Sequence, residues 1–337
     1  MKKVDIIIPA YKAQDTINRT LASIVTQSIV DDIKVTIVND KDGIGYKKAI
    51  TKFKDLVEIQ EIELQENGGP GVARQAGIEN TDCPYLTFID ADDTFSGPFS
   101  VALMVQKLEE QTNYVASVGS FLEQTTEGLS LATHTHDLVW VFGKLYKRDF
   151  LNKYHIRFNE TRANEDTGFN TIIKLCVDDK EVINFYNDIV YVWWYKKDSI
   201  TRINNHEYSY NQSFTGYTEN MIYAIKHARL VKPFNSYIDV FAIQSMANLY
   251  VYWLKTKHRD NRFIEQNFES SLKYYKEVFK EVQGRIHNEQ ITPIIADYIA
   301  QQMATIKDFI PDVTFFDFID ALEERSVEET KEYIKEE

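Results

Sequence analysis

The sequence predicts an α/β protein: a doubly wound, mostly parallel sheet followed by an all-helical C-terminal domain. Short, mostly apolar runs, Val4–Ile8, Val35–Val38 and Tyr85–Ile89, each stop at a proline or at polar and acidic residues, as strands buried on both faces do. Segments with apolar residues at helical spacing lie between them, and strands alternating with helices at this density point to parallel crossovers. Beyond about Asn205 the strand pattern ends and long helical patterns fill the remainder.

Each element has its own signal. Val4–Ile8 is closed by Pro9, and Asp15 is placed to cap a helix carrying Ile17, Leu21, Ile24 and Val25 on one face. Val35–Val38 ends at Asn39-Asp40; Gly43 and Gly45 mark a turn before a short helix over Tyr46–Phe53, and Glu58–Leu64 is a third strand. Asn67-Gly68-Gly69-Pro70-Gly71 is a loop, with Pro70 suited to the first turn of a helix reaching Asn80. Tyr85–Ile89 is the fourth strand. Helices are expected over Phe99–Glu110, Lys147–Tyr154 and Asp166–Leu175, and strands over Tyr114–Phe121, Val182–Tyr186 and Ile189–Tyr195, with a short apolar run at Leu138–Phe142. The helical domain is expected over 205–337, broken near Pro233, Arg259-Asp260, Asn288 and Pro311. Its apolar stripe is Tyr237, Val240, Phe241, Met246, Leu249, Tyr250 and Trp253, and Glu323–Glu337 is a charge-rich end expected to fray.

Composition narrows the function. The chain has 337 residues, a net charge of −13 and a hydrophobic content of 44%. A pI near 5.1 argues against non-specific adhesion to nucleic acid or anionic lipid. Cys83 and Cys176 are the only cysteines, which excludes a disulfide framework or a cysteine-rich zinc site and fits a reducing, cytoplasmic setting. Met1-Lys2-Lys3 followed by Val4–Pro9 is too short and interrupted for a signal-peptide core, and no segment has the length of a membrane span. Any membrane contact is therefore expected to be peripheral, at the inner face.

The chemistry concentrates at strand ends. Phe88-Ile89 runs directly into Asp90-Ala91-Asp92-Asp93. Like charges this close repel by roughly 1 kcal/mol per pair in water and by more when buried, so a cation is expected among them. Oxygen-only ligands favour a hard divalent ion, Mn2+ or Mg2+. In doubly wound sheets ligands bind beyond the carboxyl ends of the strands, where Pro9-Ala10-Tyr11, Asn39-Asp40 and Asp90–Asp93 all fall. Asn67–Gly77 joins a glycine-rich loop to a helix start, where backbone N–H groups can face an anion. His134-Thr135-His136 has the spacing of two ligands on one strand face, but no further ligand cluster accompanies it, so a structural or acceptor-side role is expected. In Trp193-Trp194-Tyr195, alternate side chains are expected in the core.

Taken in order, Ile6–Tyr11, Val38-Asn39-Asp40, Asn67–Gly77, Phe88–Asp93, Gly143–Arg148 and Asn164-Glu165-Asp166 resemble family-2 glycosyltransferases with the GT-A (Rossmann-like) fold. The resemblance covers about residues 1–200, within an expected catalytic domain of 1–204, and does not extend to the helical remainder. It implies a nucleotide-sugar donor, UDP-linked by expectation, whose nucleobase is held by Pro9, Ala10, Tyr11 and Asp40, with Asn39 standing where the family often has another acid. It assigns Gly68 and Arg74 to the ribose or diphosphate region. Asp90 and Ala91 belong to the donor-binding motif, Asp90 contacting the ribose or a metal-bound water; Asp92 ligates the metal, and His206 is a candidate third ligand. Lys144 and Tyr146 belong to a block expected to abut the site. Lys196, Lys197 and Arg202 would neutralise phosphate charge in a segment that closes on the donor. Asp166 is expected as general base with Glu165 beside it, in an inverting transfer of a hexose or N-acetylhexosamine to a hydroxyl of a cell-surface glycan or teichoic-acid-type acceptor. Other expectations remain open: transfer to a modified base in phage DNA, a non-catalytic nucleotide- or glycan-binding module, and a homo-oligomer formed through the C-terminal helices.

Overall fold

A computed structural model describes residues 2–125, 131–196, 206–257, 261–282, 284–285, 289–304, 314–315, 317 and 319. The chain divides into two compact units, Met1–Ala224 and Ile225–Glu337.

The first unit is built on a mixed sheet of nine strands among the described residues. In chain order the elements are β1 (Val4–Ala10), α1 (Ile17–Val25), β2 (Ile33–Asn39), α2 (Lys47–Phe53), β3 (Glu58–Glu63), α3 (Pro70–Glu79) and β4 (Tyr85–Phe88). Then come β5 (Thr94–Phe95), α4 (Ser100–Glu109), β6 (Tyr114–Gln124), β7 (Leu131–His134), β8 (Lys144–Lys147), α5 (Arg148–Lys153), α6 (Glu165–Cys176), β9 (Val182–Trp193) and α7 (His206–Val231). The strand order is β3-β2-β1-β4-β8-β6-β9-β5, with β7 paired to β6. The first four strands are parallel. β8 enters antiparallel between β4 and β6, and β9 runs parallel to β6. The α/β class is thus as expected, and the sheet becomes mixed from β8 onward.

Register fixes the rim. β1 pairs with β2 from Val4↔Ile33 to Ala10↔Asn39, and with β4 from Val4↔Tyr85 to Ile7↔Phe88. The ends of these strands, and the residues that follow them, therefore share one edge of the sheet. Ile6, Ile8, Ile33, Val35, Ile37 and Ile89 are buried in one core under α1, α2 and α4. On the other face α3 lies against β1 at Gly77, where an added Cβ would stand 2.3 Å from Ile7 Cγ2. At the amino ends, buried Asp5 accepts from Arg148 Nη2 at 2.8 Å and from the Cys83 N–H at 2.7 Å, tying β1 to α5.

Several local expectations change. α1 starts at Ile17 with Thr16 preceding it and no side-chain cap, so Asp15 does not cap it; the Thr16 hydroxyl bonds Ala13 O instead. Strand β9 is continuous where separate strands were expected, because register shifts against β6 absorb the irregular stretch. The Leu138–Phe142 run, expected only as an apolar segment, contributes a single bridge from Phe142 to Phe88.

The second unit contains the end of α7, then α8 (Ser236–Lys257), α9 (Asn261–Val282) and α10 (Thr292–Met303). Pro233 lies in the break between α7 and α8, as expected. The buried face of α8 carries Ile238, Ala242, Ile243, Met246, Leu249 and Tyr250, while Tyr237 is exposed. Trp253's side chain, the breaks at Arg259-Asp260, Asn288 and Pro311, and Glu323–Glu337 lie outside the described residues. Among the described residues no helix is long and apolar enough to cross a membrane.

Candidate active site

The site forms at the carboxyl ends of β1, β2 and β4 and the amino end of α6. β1 and β2 are buried strands that stop where the chain turns polar. Tyr11 is half-exposed, with Lys12 Nζ 5.0 Å from its ring centroid. Lys12 takes a left-handed backbone at φ 51°. Its N–H and Gln14 Nε2 both donate to Asp42 Oδ2, at 3.3 and 2.6 Å, and the N–H groups of Ile44 and Gly45 donate to Asp42 Oδ1 at 2.8 and 2.9 Å. Burial works against the ionised Asp42, but the Gly45 and Ile44 N–H donors, with Tyr46 and Gln14, hold its carboxyl well below the usual range. Sequence reasoning missed Asp42. Its signal was the Asp-Gly turn dipeptide, and it clamps the turn after β1 to the loop after β2.

Asp40 is buried and anchors the glycine loop. The Gly68 N–H donates to its Oδ1 at 2.7 Å; the Gly69 N–H and Asn67 Nδ2 donate to its Oδ2 at 2.9 and 3.0 Å. A carboxylate offers about four acceptor positions, so Oδ1 keeps a free lone pair. Gly69, at φ 88°, turns the chain into α3 with Pro70 in the first turn, a backbone that suits glycine.

Arg74 lies on α3 with its side chain 4% exposed. Nη1 donates to Glu165 Oε1 at 2.7 Å and to Asp166 Oδ1 at 2.6 Å, and Nη2 donates to Asp90 Oδ1 at 2.8 Å. The expected phosphate contact is therefore not what occupies this guanidinium: it bridges carboxylates from β4's end and from the first turn of α6. Asn164, at φ 60°, opens α6, a conformation asparagine tolerates, and the helix N-terminus favours the ionised acids that follow.

Burial pushes the Asp166 carboxyl up to about 7; Arg74 opposes this and Glu165 adds to it. Asp90 is raised by burial and by Asp166 and Asp92, against the pull of Arg74. Asp93 is raised well above the carboxylate range, chiefly by burial. The Tyr191 hydroxyl donates to Asp93 Oδ2 at 2.7 Å and the Trp194 N–H to its Oδ1 at 2.8 Å, so Asp93 fastens the end of β9 to the acidic turn. Lys196 Nζ reaches Asp92 Oδ2 at 3.0 Å. Lys144 is fully buried, 3.9 Å from Asp137, and burial lowers it to about 8. Tyr146 donates to Asn170 Oδ1 at 2.9 Å, while the Val141 N–H donates to Asp166 Oδ2 at 3.3 Å.

The structure thus gathers Arg74, Asp90, Asp92, Glu165, Asp166 and Lys196, and beside them Pro9, Ala10, Tyr11, Asp40 and Gly68. Ala91 is a buried link between the acids. Lys197 and Arg202 lie outside the described residues, as does the side chain of His206, whose backbone opens α7. β7 ends at His134, which bonds Glu123 at 2.8 Å; His136 follows at φ 54°, so the two rings do not share a strand face.

The donor set suits a hard divalent cation. Asp90 and Asp92 offer only carboxylate oxygens, and their side chains keep 31% and 29% exposure. Mg2+-type sites commonly take one or two carboxylates and complete their shell from phosphates and water. Among the described residues, the ligand atoms that already converge are those of Asp5, Asp82 and Cys83, at the opposite edge of the sheet, where Arg148 neutralises Asp5.

Residues 5–169 match the model of Glycosyl transferase family 2. This segment belongs to that family. The chain is 25% identical over 227 residues to Glycosyltransferase GlyA of Streptococcus pneumoniae, covering 60% of this chain and 32% of the relative. The chain is 24% identical over 263 residues to a teichoic acid poly(glycerol phosphate) polymerase of Staphylococcus epidermidis, covering 74% of this chain and 35% of that protein. It spans about a third of the length of these relatives. The crystal structure of S. aureus TarS 1-349 in complex with UDP-GlcNAc superposes with a TM-score of 0.65 at 14% identity, over 89% of this chain and 88% of that one. This likeness establishes a shared GT-A fold.

Proposed function

We propose that this chain is an inverting, metal-dependent glycosyltransferase that moves a hexose or N-acetylhexosamine from a UDP-sugar to a hydroxyl of a teichoic-acid-type or other cell-surface polymer. The observation that carries the proposal is the Arg74-centred cluster, in which a buried Asp166 raised to about 7 lies beside the open Asp90 and Asp92 carboxylates. A general base works best with a pKa near the operating pH. Asp166 takes the proton of the acceptor hydroxyl as that oxygen attacks the anomeric carbon from the face opposite the diphosphate. No second carboxylate serves as nucleophile in this scheme, so configuration inverts.

Arg74 orients Asp166 through Nη1, which also bonds Glu165, and holds Asp90 through Nη2. The nucleobase stacks on Tyr11 and donates its N3–H to the free lone pair of Asp40. Asp92, with Asp90, would hold a divalent cation, which when bound supplies charge neutralisation to the departing diphosphate. Lys196 adds positive charge to the same groups. The names of the matched relatives and of TarS support the donor and acceptor classes.

The test is a thermal-shift screen with UDP-, GDP- and TDP-sugars, with and without Mn2+, since a ligand that binds only the native state raises the midpoint. UDP-sugars with Mn2+ should give the largest shift, and Asp92→Ala should remove the Mn2+-dependent part. Equal shifts for all nucleotides, or a shift untouched by Asp92→Ala, would reject the assignment.

A further inference from the structure

The start of α7 lies beyond the matched family segment, yet it reaches back to the candidate base. Asn220 is fully buried. Its Nδ2 donates to Thr161 Oγ1 at 2.7 Å, to Ala163 O at 3.1 Å and to Gly216 O at 2.8 Å. Two glycines make this approach possible. A Cβ on Gly168, in α6, would lie 2.6 Å from Asn220 Oδ1, and one on Gly216 would lie 2.4 Å from Ala163 O. The segment that Asn220 grips, Thr161–Ala163, leads through left-handed Asn164 directly into Glu165 and Asp166. It is gripped from its other side as well: Arg162 donates to Asn67 Oδ1 and Asn67 O, each at 3.1 Å, and Asn67 in turn donates to Asp40. Asn220 Oδ1 is buried without a partner among the described residues, so the side chain is held through Nδ2 alone; buried amide donors are costly to leave unmatched, and these donors define where the segment sits.

We propose that Asn220 is a positioning residue, which sets the placement of Asp166 by holding residues 161–163 between α7 and the glycine loop that Asp40 anchors. The inference rests on Asp166 being the base. On this view α7 up to Ala224 is part of the catalytic unit, because the acids of α6 have their approach segment fixed from that helix. A misplacement of about 1 Å at a reacting group costs on the order of 100-fold in rate.

The variants are Asn220→Leu, which keeps the branching of the side chain and removes the donors, and Asn220→Ala. Release of UDP from UDP-GlcNAc with Mn2+, with water as acceptor, gives kcat and KM for the full chain. The expected result is a fall in kcat of ~10- to 100-fold in both variants, with KM for the donor within about threefold, since the N–H groups on Asp40 belong to a separate loop. Hydrogen exchange over residues 159–168 provides a measurement that needs no turnover. Faster exchange there, in Asn220→Leu relative to the rest of the unit, is expected. Unchanged kcat in an active protein, or unchanged exchange over 159–168, would overturn the assignment. A wild-type chain that releases no UDP but shows the exchange change would instead count against Asp166 as base and leave the grip of Asn220 standing.

Discussion

Replacing Arg74 with alanine is the sharpest test of how the site tolerates its acids. In the native protein this guanidinium makes charged bonds of 2.6, 2.7 and 2.8 Å to Asp166, Glu165 and Asp90. Removing one member of a buried ionic group costs about 3–5 kcal/mol, because the partners stay buried without compensation. Asp166 and Asp90, both already raised, respond by holding protons to higher pH. Their folded pKa values then stand further above the unfolded values near 4, so the folded state binds more protons than the unfolded one and stability falls as pH rises. Each carboxyl raised by a further unit removes about 1.4 kcal/mol once the pH passes its folded pKa. Asp166 already sits at about 7 in the native protein, which places the informative window between pH 6 and pH 8. Urea unfolding of both proteins at these pH values supplies the comparison, with Arg74→Ala losing about 1–3 kcal/mol more than the native chain on going from pH 6 to pH 8. An equal loss at both pH values would refute the idea that Arg74 is the counter-charge of this cluster.

Further outcomes follow from the same geometry. Asp166→Asn should lower transfer by at least ~100-fold while leaving UDP-sugar affinity within a few-fold; in the native enzyme kcat/KM should rise with pH through about 7 as Asp166 loses its proton, and a flat profile from pH 6 to pH 8 would remove it as the base. Lys196→Ala should tighten Mn2+ binding to the nucleotide-free protein by about two- to fivefold, since the exposed Lys196–Asp92 pair is worth at most ~1 kcal/mol; electron paramagnetic resonance titration measures it, and weaker Mn2+ binding would contradict the reasoning. Gly77→Ala forces a Cβ to within 2.3 Å of Ile7 Cγ2 and should destabilise by about 1–3 kcal/mol in urea unfolding, whereas an unchanged midpoint would show that α3 can move off β1.

What the sequence made legible is what short-range pattern encodes. β1, β2 and β4 are short, mostly apolar strands, and the acids that follow β2 and β4 sit at the rim because parallel strands in register end together. β5 is two residues long, too short to carry a period. β8 reads Lys-Leu-Tyr-Lys, yet Lys144 is fully buried, an arrangement that the Phe142 carbonyl, Asp137 and the nearby charge of Asp166 help to make tolerable. Arg74 illustrates the same limit at the site. A single arginine on a helix face suits a phosphate or a carboxylate equally well, and its partners Glu165 and Asp166 lie 91 and 92 residues away. Asp40 was visible as a strand-ending acid, but its loop-anchoring bonds depend on how Asn67–Gly69 folds back over it. Asn220 had no local signal, since its importance comes from the glycines it meets.

The two cations of the site hold their acids with unequal force, and that difference decides which acid is available. Arg74 is buried, and its planar fork engages Asp90, Glu165 and Asp166 at once, which the single ammonium point of lysine does not match in geometry. Moving it would strand several carboxylates in low dielectric. Lys196 holds Asp92 from a side chain that is 46% exposed, where water screens the attraction and the long side chain recovers its freedom on release. A competing cation arriving from solvent therefore meets Asp92 as the acid least firmly held, with Asp90 adjacent and still partly open. The acids farther in, Glu165 and Asp166, keep their arginine throughout. On the proposed function, the same arrangement keeps Asp166 fixed and ionisable at one end of the cluster and leaves an exchangeable carboxylate at the other, as a transferase releasing a charged product at every turnover would require.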